Sequence, residues 1–171
     1  MHSVAAVVLT GGMSSRLGGA HKPAELVGEA SILARVLAAL IRLDSVLPVD
    51  EPTIVVAGSP MGVPDYIEVV SEEPPLGGPV AGLAAGLVEL DRQRQNPHFI
   101  LTLAGDLPFV STADCAELLI AAGLGPDNAV DRRVAVAVDV TGQPQWLCAA
   151  WPTTRLRERL AALEAERGSL A

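Results

Sequence analysis

The chain has 171 residues, half of them hydrophobic, so one domain over residues 1–171 with a full apolar core is expected. Its formal net charge of -8 would repel a phosphate backbone, which argues against nucleic acid as a partner. The first apolar run has no basic leader and is too short to cross a membrane, which predicts a cytoplasmic protein without a membrane partner.

The first half of the chain alternates apolar runs with helical periodicity. Val4–Leu9 is a continuous apolar run, typical of a strand covered on both faces, and Gly11 and Gly12 end it. A polar, glycine-rich loop is predicted to reach about Ala30, and from Ser31 the apolar residues recur with the period of an amphipathic helix. Two further β-branched runs are predicted strands: Thr53–Ala57 and Ile67–Val70.

The second half repeats this alternation. A helix is predicted to begin near Pro79, because proline is favoured at a first helical position, and Phe99–Leu103 is predicted as a fourth strand. Ser111, followed three residues later by Asp114, should cap a helix that runs to about Ala122. A hairpin of two strands and a terminal helix are predicted next: Val134–Val138, Trp146–Ala150 and a helix marked by Leu156, Leu160 and Leu163.

Alternating strands and helices predict the α/β class. The expected architecture is a three-layer α/β/α sandwich with a mostly parallel, Rossmann-like sheet. Ligands of such sheets bind at the carboxyl ends of the strands, so the candidate functional residues are those that directly follow each strand.

The loop after the first strand combines glycines with two cations. Its glycines let backbone amides approach an anion, and Arg16 and Lys22 add positive charge, a combination suited to a triphosphate. Neither common phosphate motif is present, since GxGxxG is absent and Lys22 is followed by Pro23 rather than by Ser or Thr. The alternative is an ordinary strand-helix connection.

Two later loops carry carboxylates. Asp106 comes at the carboxyl end of the fourth strand, ahead of Pro108, and is a candidate Mg²⁺ ligand because magnesium takes one or two carboxylates plus phosphate oxygens. Glu72 and Glu73 follow the third strand and lead into a glycine-rich segment. A carboxylate there could accept hydrogen bonds from a base or ribose, and a solvated acidic turn is the alternative.

At these residues the chain resembles the molybdenum cofactor guanylyltransferases, which belong to the nucleotidyltransferase superfamily together with molybdopterin cytidylyltransferases and sugar-phosphate nucleotidylyltransferases. The opening motif of that family is matched at Leu9, Gly11, Gly12, Arg16, Gly18 and Lys22. Two further motifs are matched at Gly78-Pro79-Val80-Ala81-Gly82 and Asp106-Leu107-Pro108. The resemblance covers about residues 4–155 and implies the fold of the nucleotide-diphospho-sugar transferases.

The resemblance implies transfer of GMP from GTP to molybdopterin, with Mg²⁺ as the cofactor and transient contact with molybdenum cofactor biosynthesis proteins or acceptor apoenzymes. The Gly11-Gly12 pair favours GTP over CTP, and the segment Gln143–Cys148 is similar to the family segment near the acceptor. The implied nucleotide-binding residues are Leu9, Thr10, Gly11, Gly12, Glu73 and Gly78, with Arg16 and Lys22 on the phosphates and Asp106 on magnesium.

The chain also departs from the family pattern. Thr10 replaces Ala, His21 replaces Asp and Glu73 replaces Asp. The family's terminal Asp-x-Asp-Thr-Pro segment, which contributes to the metal site, has no counterpart here. We therefore expect GTP binding with impaired catalysis, or a second metal ligand from elsewhere. The open alternatives are a CTP or sugar-phosphate nucleotidyltransferase and a catalytically weak module that binds nucleotide or a partner.

Overall fold

The computed structural model describes residues 2–11, 22–72, 77–125 and 132–168. Its strands are β1 Val4–Leu9, β2 Leu26–Val27, β3 Ala30–Ser31, β4 Thr53–Ala57, β5 Glu68–Val70, β6 Phe99–Ala104, β7 Ala135–Val138 and β8 Pro144–Pro152. Its α-helices are α1 Ile32–Ile41, α2 Pro79–Arg92, α3 Thr112–Ala121 and α4 Thr153–Gly168, with 3-10 turns at Lys22–Ala24 and Leu43–Ser45.

The central sheet has six strands in the order β5-β4-β1-β6-β8-β7. The first four are parallel, whereas β8 runs antiparallel to β6 and β7 antiparallel to β8. The last residues of the four parallel strands pair with one another in a single row: Val70, Ala57, Leu9 and Ala104. The loops that follow these strands therefore all leave the sheet at one level of the same edge, which is the edge predicted to bind the ligand.

Helices cover both faces of the sheet, which confirms the predicted three-layer α/β architecture. Helices α1 and α3 enclose one apolar cluster with Ala6 and Val8, and α2 and α4 enclose another with Ala5, Val7 and Leu9. Every residue of β1 is buried. Its continuous apolar run follows from this position, because alternate side chains of a strand enter opposite layers.

The predicted helix starts are confirmed by their hydrogen bonds. Ser31 precedes α1 and its side chain accepts from the backbone N–H of Ala34 at 3.1 Å. Ser111 and Asp114 cap α3 reciprocally, as a capping box requires. Pro79 occupies the first position of α2, where its missing N–H costs no intrahelical bond.

Two regions differ from the prediction. The polar loop expected to reach Ala30 contains the 3-10 turn and the hairpin β2–β3, whose two-residue strands are too short to produce a recognisable alternation. Strand β8 is longer than Trp146–Ala150, and its pairing with β7 shifts register between Val136 and Ala137.

None of the helices in the described ranges is both long enough and apolar enough to cross a membrane.

Candidate active site

A crevice of about 180 Å³ opens at the edge where the parallel strands end. Five residues predicted to take part in the site line it together: Leu9, Thr10, Gly11, Gly78 and Asp106. They come from the ends of β1 and β6 and from the start of α2. Three separate loops therefore meet in one concave site, as expected for the carboxyl edge of a parallel sheet.

Backbone hydrogen bonds extend the sheet by one residue beyond its last ladder pairs. Gly58 donates its N–H to the carbonyl of Val70 at 2.8 Å, Thr10 donates to Ala57 at 2.9 Å, and Gly105 donates to Leu9 at 2.8 Å. The first residue after each of β4, β1 and β6 is thereby hydrogen-bonded to the last residue of an adjacent strand. The functional groups that follow are consequently anchored to the sheet itself.

The end of β1 is packed closely against the loop after β4. Gly58 has φ +128°, a conformation that side chains rarely adopt, and a β-carbon there would lie 2.4 Å from the backbone nitrogen of Gly11. Only glycine therefore allows this approach of the two backbones. The position of the Gly11 amide, the first of the predicted phosphate loop, is set by that contact.

Two carboxylates line the crevice from different loops. Asp106 follows β6 and is exposed, and Glu72 follows β5 and is half-buried. The two carboxylate oxygens of Glu72 lie 3.9 Å from where β-carbons at Gly11 and Gly82 would stand, so its side chain extends between the end of β1 and helix α2. This arrangement fits a hard cation such as Mg²⁺, which takes carboxylate oxygens together with phosphate oxygens and waters.

The described ranges contain no group of three or more His, Cys, Asp or Glu side chains able to enclose a metal by themselves. Besides Asp106 and Glu72, phosphate oxygens of a bound substrate and waters would complete the ligands of a cation in this crevice. Such sharing is characteristic of magnesium sites that act on phosphates.

Helix α2 directs its amino terminus at the crevice. Gly78 is its N-cap with φ +81° and supplies no side-chain cap, and both Gly78 and Pro79 line the crevice. The first backbone N–H groups of a helix lack intrahelical acceptors and carry the positive end of its dipole. This end of a 14-residue helix favours an anionic group in the crevice.

The structure does not place every predicted site residue. Gly12, Arg16 and Glu73 lie outside the described residues. Lys22 begins the 3-10 turn Lys22–Ala24, and the next residue, Pro23, lines the crevice. The chain therefore returns to the crevice at the position where the predicted phosphate loop ends.

Leu147 is among the crevice residues that the sequence did not single out individually. Leu147 of β8 lines the crevice and packs against the apolar cluster beneath α2. The strand that carries it is paired with β6, more than 40 positions earlier in the chain. Local periodicity contains no signal for such a pairing.

The hairpin joining β7 and β8 is held by one carboxylate. Asp139 accepts hydrogen bonds from the hydroxyl and the N–H of Thr141, from the N–H of Gln143 and from the side-chain amide of Gln145. The hydrogen bond from the Thr141 hydroxyl is the largest cause that lowers the pKa of Asp139. The segment predicted to lie near the acceptor is therefore ordered by its own side chains.

The sequence matches the family model described as MobA-like NTP transferase domain over residues 6–171. A molybdenum cofactor guanylyltransferase from Bradyrhizobium sp. (strain ORS 278) is 32% identical over 161 residues, which are 92% of this chain and 70% of that protein. A protein of the same name from Rhodopseudomonas palustris (strain BisB5) is 31% identical, with coverage of 86% and 66%. The chain thus spans about two thirds of the length of these curated relatives.

Solved structures share the fold at lower identity. A nucleotidyl transferase from Methanothermobacter thermautotroptrophicus superposes with a TM-score of 0.64 at 22% identity, covering 93% of this chain and 76% of that one. A 4-diphosphocytidyl-2C-methyl-D-erythritol synthase from Anaerococcus prevotii gives 0.60 at 15% identity, with coverage of 96% and 76%. A Mycobacterium tuberculosis protein in complex with manganese gives 0.55 at 18% identity, with coverage of 94% and 75%. With the family match over nearly the whole sequence, the chain belongs to the nucleotidyltransferase family of MobA-like NTP transferase domains.

Proposed function

We propose that this chain catalyses the magnesium-dependent transfer of GMP from GTP to molybdopterin, with release of pyrophosphate. The observation that carries the proposal is the meeting of Gly11, Asp106 and the amino terminus of α2 in one crevice at the carboxyl edge of the sheet. The relatives named molybdenum cofactor guanylyltransferase support GTP and molybdopterin as the substrates. We place the reaction in the cytoplasm, with transient contact to acceptor apoenzymes or other proteins of cofactor biosynthesis.

The chemistry is a displacement at the α-phosphorus of GTP. The terminal phosphate oxygen of the acceptor forms a bond to that phosphorus, and the bond to the bridging oxygen of the β-phosphate breaks. The leaving pyrophosphate takes the electron pair. No general base is required because the attacking oxygen is already anionic, so positioning and charge neutralisation carry the catalysis.

The residues of the chain have separate tasks in this scheme. Gly11 and the start of α2 bind phosphate oxygens, since both line the crevice and the positive end of the helix dipole lies there. Arg16 and Lys22 neutralise the outer phosphates. Asp106 and Glu72 would hold magnesium, which when bound offsets negative charge on the phosphates.

A pyrophosphate-release assay tests the proposal by crossing the four ribonucleoside triphosphates with molybdopterin and common sugar phosphates in the presence of Mg²⁺. Release with GTP and molybdopterin is expected. Release with CTP and molybdopterin, or only with a sugar phosphate, would make the chain a nucleotidyltransferase of another specificity. Binding of GTP without release under any pairing would make it a nucleotide-binding module.

A further inference from the structure

Thr10 lies between the two glycines that begin the loops after β4 and β6. A β-carbon at Gly58 would lie 2.9 Å from the Thr10 hydroxyl oxygen, and one at Gly105 would lie 2.8 Å from the Thr10 methyl carbon. Both distances are shorter than ordinary contacts with a β-carbon. The two ends of this side chain therefore pack directly against the two glycine backbones.

The hydroxyl of Thr10 donates a hydrogen bond within the protein. It donates to the backbone carbonyl of Ser59 at 3.1 Å, and the residue is only 4% exposed. This bond ties the end of β1 to the loop after β4, where a β-carbon at Gly58 would collide with the Gly11 nitrogen. Removing the donor would leave a carbonyl without its partner beside a buried residue, which costs more than the bond itself contributes.

The methyl of Thr10 lies on the other side of β1, towards the loop after β6. It packs against Gly105, whose N–H is fixed to the carbonyl of Leu9, and the next residue is Asp106. A change in the volume of this methyl would consequently alter the position from which the Asp106 carboxylate enters the crevice.

We propose that Thr10 is a positioning residue that sets the spacing between the Gly11 amide and the magnesium carboxylate. Its hydroxyl positions Gly11 through the loop after β4, and its methyl positions Asp106 through Gly105. This inference rests on the proposed function of the crevice. It assigns the hydroxyl proton of Thr10 no bond to the nucleotide, since the hydroxyl donates to Ser59.

Two substitutions test the hydroxyl and the methyl of Thr10 separately. Thr10→Val keeps the shape and removes the hydroxyl. We expect GTP affinity measured by calorimetry to fall about tenfold, because the Gly11 amide is no longer held at its place in the crevice. Thr10→Ser keeps the hydroxyl and removes the methyl. It should bind GTP within about twofold of the wild type, while the Mg²⁺ concentration for half-maximal turnover rises about fivefold from a small misplacement of Asp106.

Thr153→Val is the matched control. Thr153 is 6% exposed, and its hydroxyl donates to the backbone carbonyl of Pro97 at 2.6 Å, at the amino edge of the sheet. We expect this variant to lower the melting temperature about as much as Thr10→Val does while leaving GTP affinity and magnesium dependence unchanged. Melting curves and circular dichroism check that all three variants fold.

Several outcomes would overturn the inference. Equal GTP affinities for Thr10→Val and Thr153→Val, or an unchanged magnesium dependence for Thr10→Ser, would make Thr10 an ordinary buried residue. If the wild type binds CTP instead of GTP, the proposed nucleotide is wrong and the same comparison is made with CTP. If it binds no nucleoside triphosphate, the proposed function and the role of Thr10 both fail.

Discussion

The two edges of the central sheet are built alike but carry different chemistry. At the amino edge, Thr153 donates its N–H to the carbonyl of His98, and His98 donates its N–H to the carbonyl of Ser3. At the carboxyl edge, Gly105 is joined to Leu9 by the same kind of backbone hydrogen bond. Side chains at the amino edge also pair with backbone, as His2 does with the Gly125 carbonyl. The amino edge thus uses its polar groups to hold the fold.

The carboxyl edge also carries polar groups that line the crevice. Asp106 and Glu72 line it from two loops, and the amino terminus of α2 ends there. Gly58 and Gly105 are the first residues after β4 and β6, where the amino edge has side chains such as Thr153 and His98. The two edges therefore share hydrogen bonding at their strand ends and differ in close backbone approach combined with carboxylates, the features on which the proposed site rests.

The largest expected effect is at the carboxyl edge. Asp106→Asn removes a charge from an exposed, nearly isosteric side chain, so we expect the fold to persist and turnover to fall more than about a hundredfold through loss of the metal ligand. Steady-state pyrophosphate release at saturating Mg²⁺ measures it. The control is Asp91→Asn, since Asp91 pairs with Arg157 between α2 and α4, and it should keep wild-type turnover. Retention of a tenth of the activity in Asp106→Asn would remove this residue from the metal site.

A second substitution compares the two ends of β5. Glu72 follows this strand and lines the crevice, whereas Glu68 begins it and pairs with Arg92 at 3.4 Å on the surface. Glu72→Gln should lower kcat/KM about thirtyfold, within the range for a lost charged interaction, and Glu68→Gln should change it less than about twofold. The same assay over a range of Mg²⁺ concentrations checks both. Similar losses in the two variants would contradict the assignment of Glu72 to the site.

The phosphate loop can be tested through its terminal lysine. Lys22→Ala should weaken GTP binding about tenfold and GMP binding much less, because the side chain is proposed to meet the outer phosphates, which GMP lacks. Calorimetry with both nucleotides gives the ratio. Arg42→Ala, at the carboxyl end of α1, removes a cation outside the residues that line the crevice and should leave both affinities unchanged. Equal losses for GTP and GMP in Lys22→Ala would move the lysine away from the phosphates.

The smallest expected effect is at the amino edge and depends on pH. Burial is the largest cause that lowers the pKa of His98, with Arg132 adding to it, so the folded state favours the neutral ring. The unfolded chain then binds more protons, and the stability that neutral His98 contributes is present above about pH 6.5 and is lost as the pH falls through the lower folded pKa.

Substitution of this histidine should flatten the acid side of the stability curve. His98→Asn retains an acceptor for the Ser3 N–H and cannot titrate, so its melting temperature should fall less than that of the wild type between pH 7 and pH 5. GTP affinity at pH 7 should be unchanged. A parallel decline of the two melting temperatures would show that His98 does not contribute, and a loss of GTP affinity would contradict the separation of the two edges.

Much of the fold was predictable because its signals are local. The uninterrupted apolar run of β1, the proline that begins α2 and the capping pair Ser111 and Asp114 each act within a few residues. The positions of Gly11 and Asp106 after their strands followed from those elements. The hairpin β2–β3 was missed because two-residue strands have no measurable period.

Other features of the site depended on segments far apart in sequence. Glu72 lines the crevice, whereas Glu73 lies outside the described residues, so its contact with the nucleotide stays a prediction. Leu147 reaches the crevice only because β8 pairs with β6.

The sequence by itself determined the alternation of elements, the edge at which ligand binding is proposed and the residue types available there, because periodicity and capping are properties of neighbouring residues. The tertiary structure alone decided the order of the strands, the antiparallel place of β8 and the contacts of Thr10 with Gly58, Ser59 and Gly105. The contacts of Thr10 join residues about 50 to 95 positions apart, and the pairs of β6 with β8 are about 45 to 53 positions apart, where no local pattern specifies the partner.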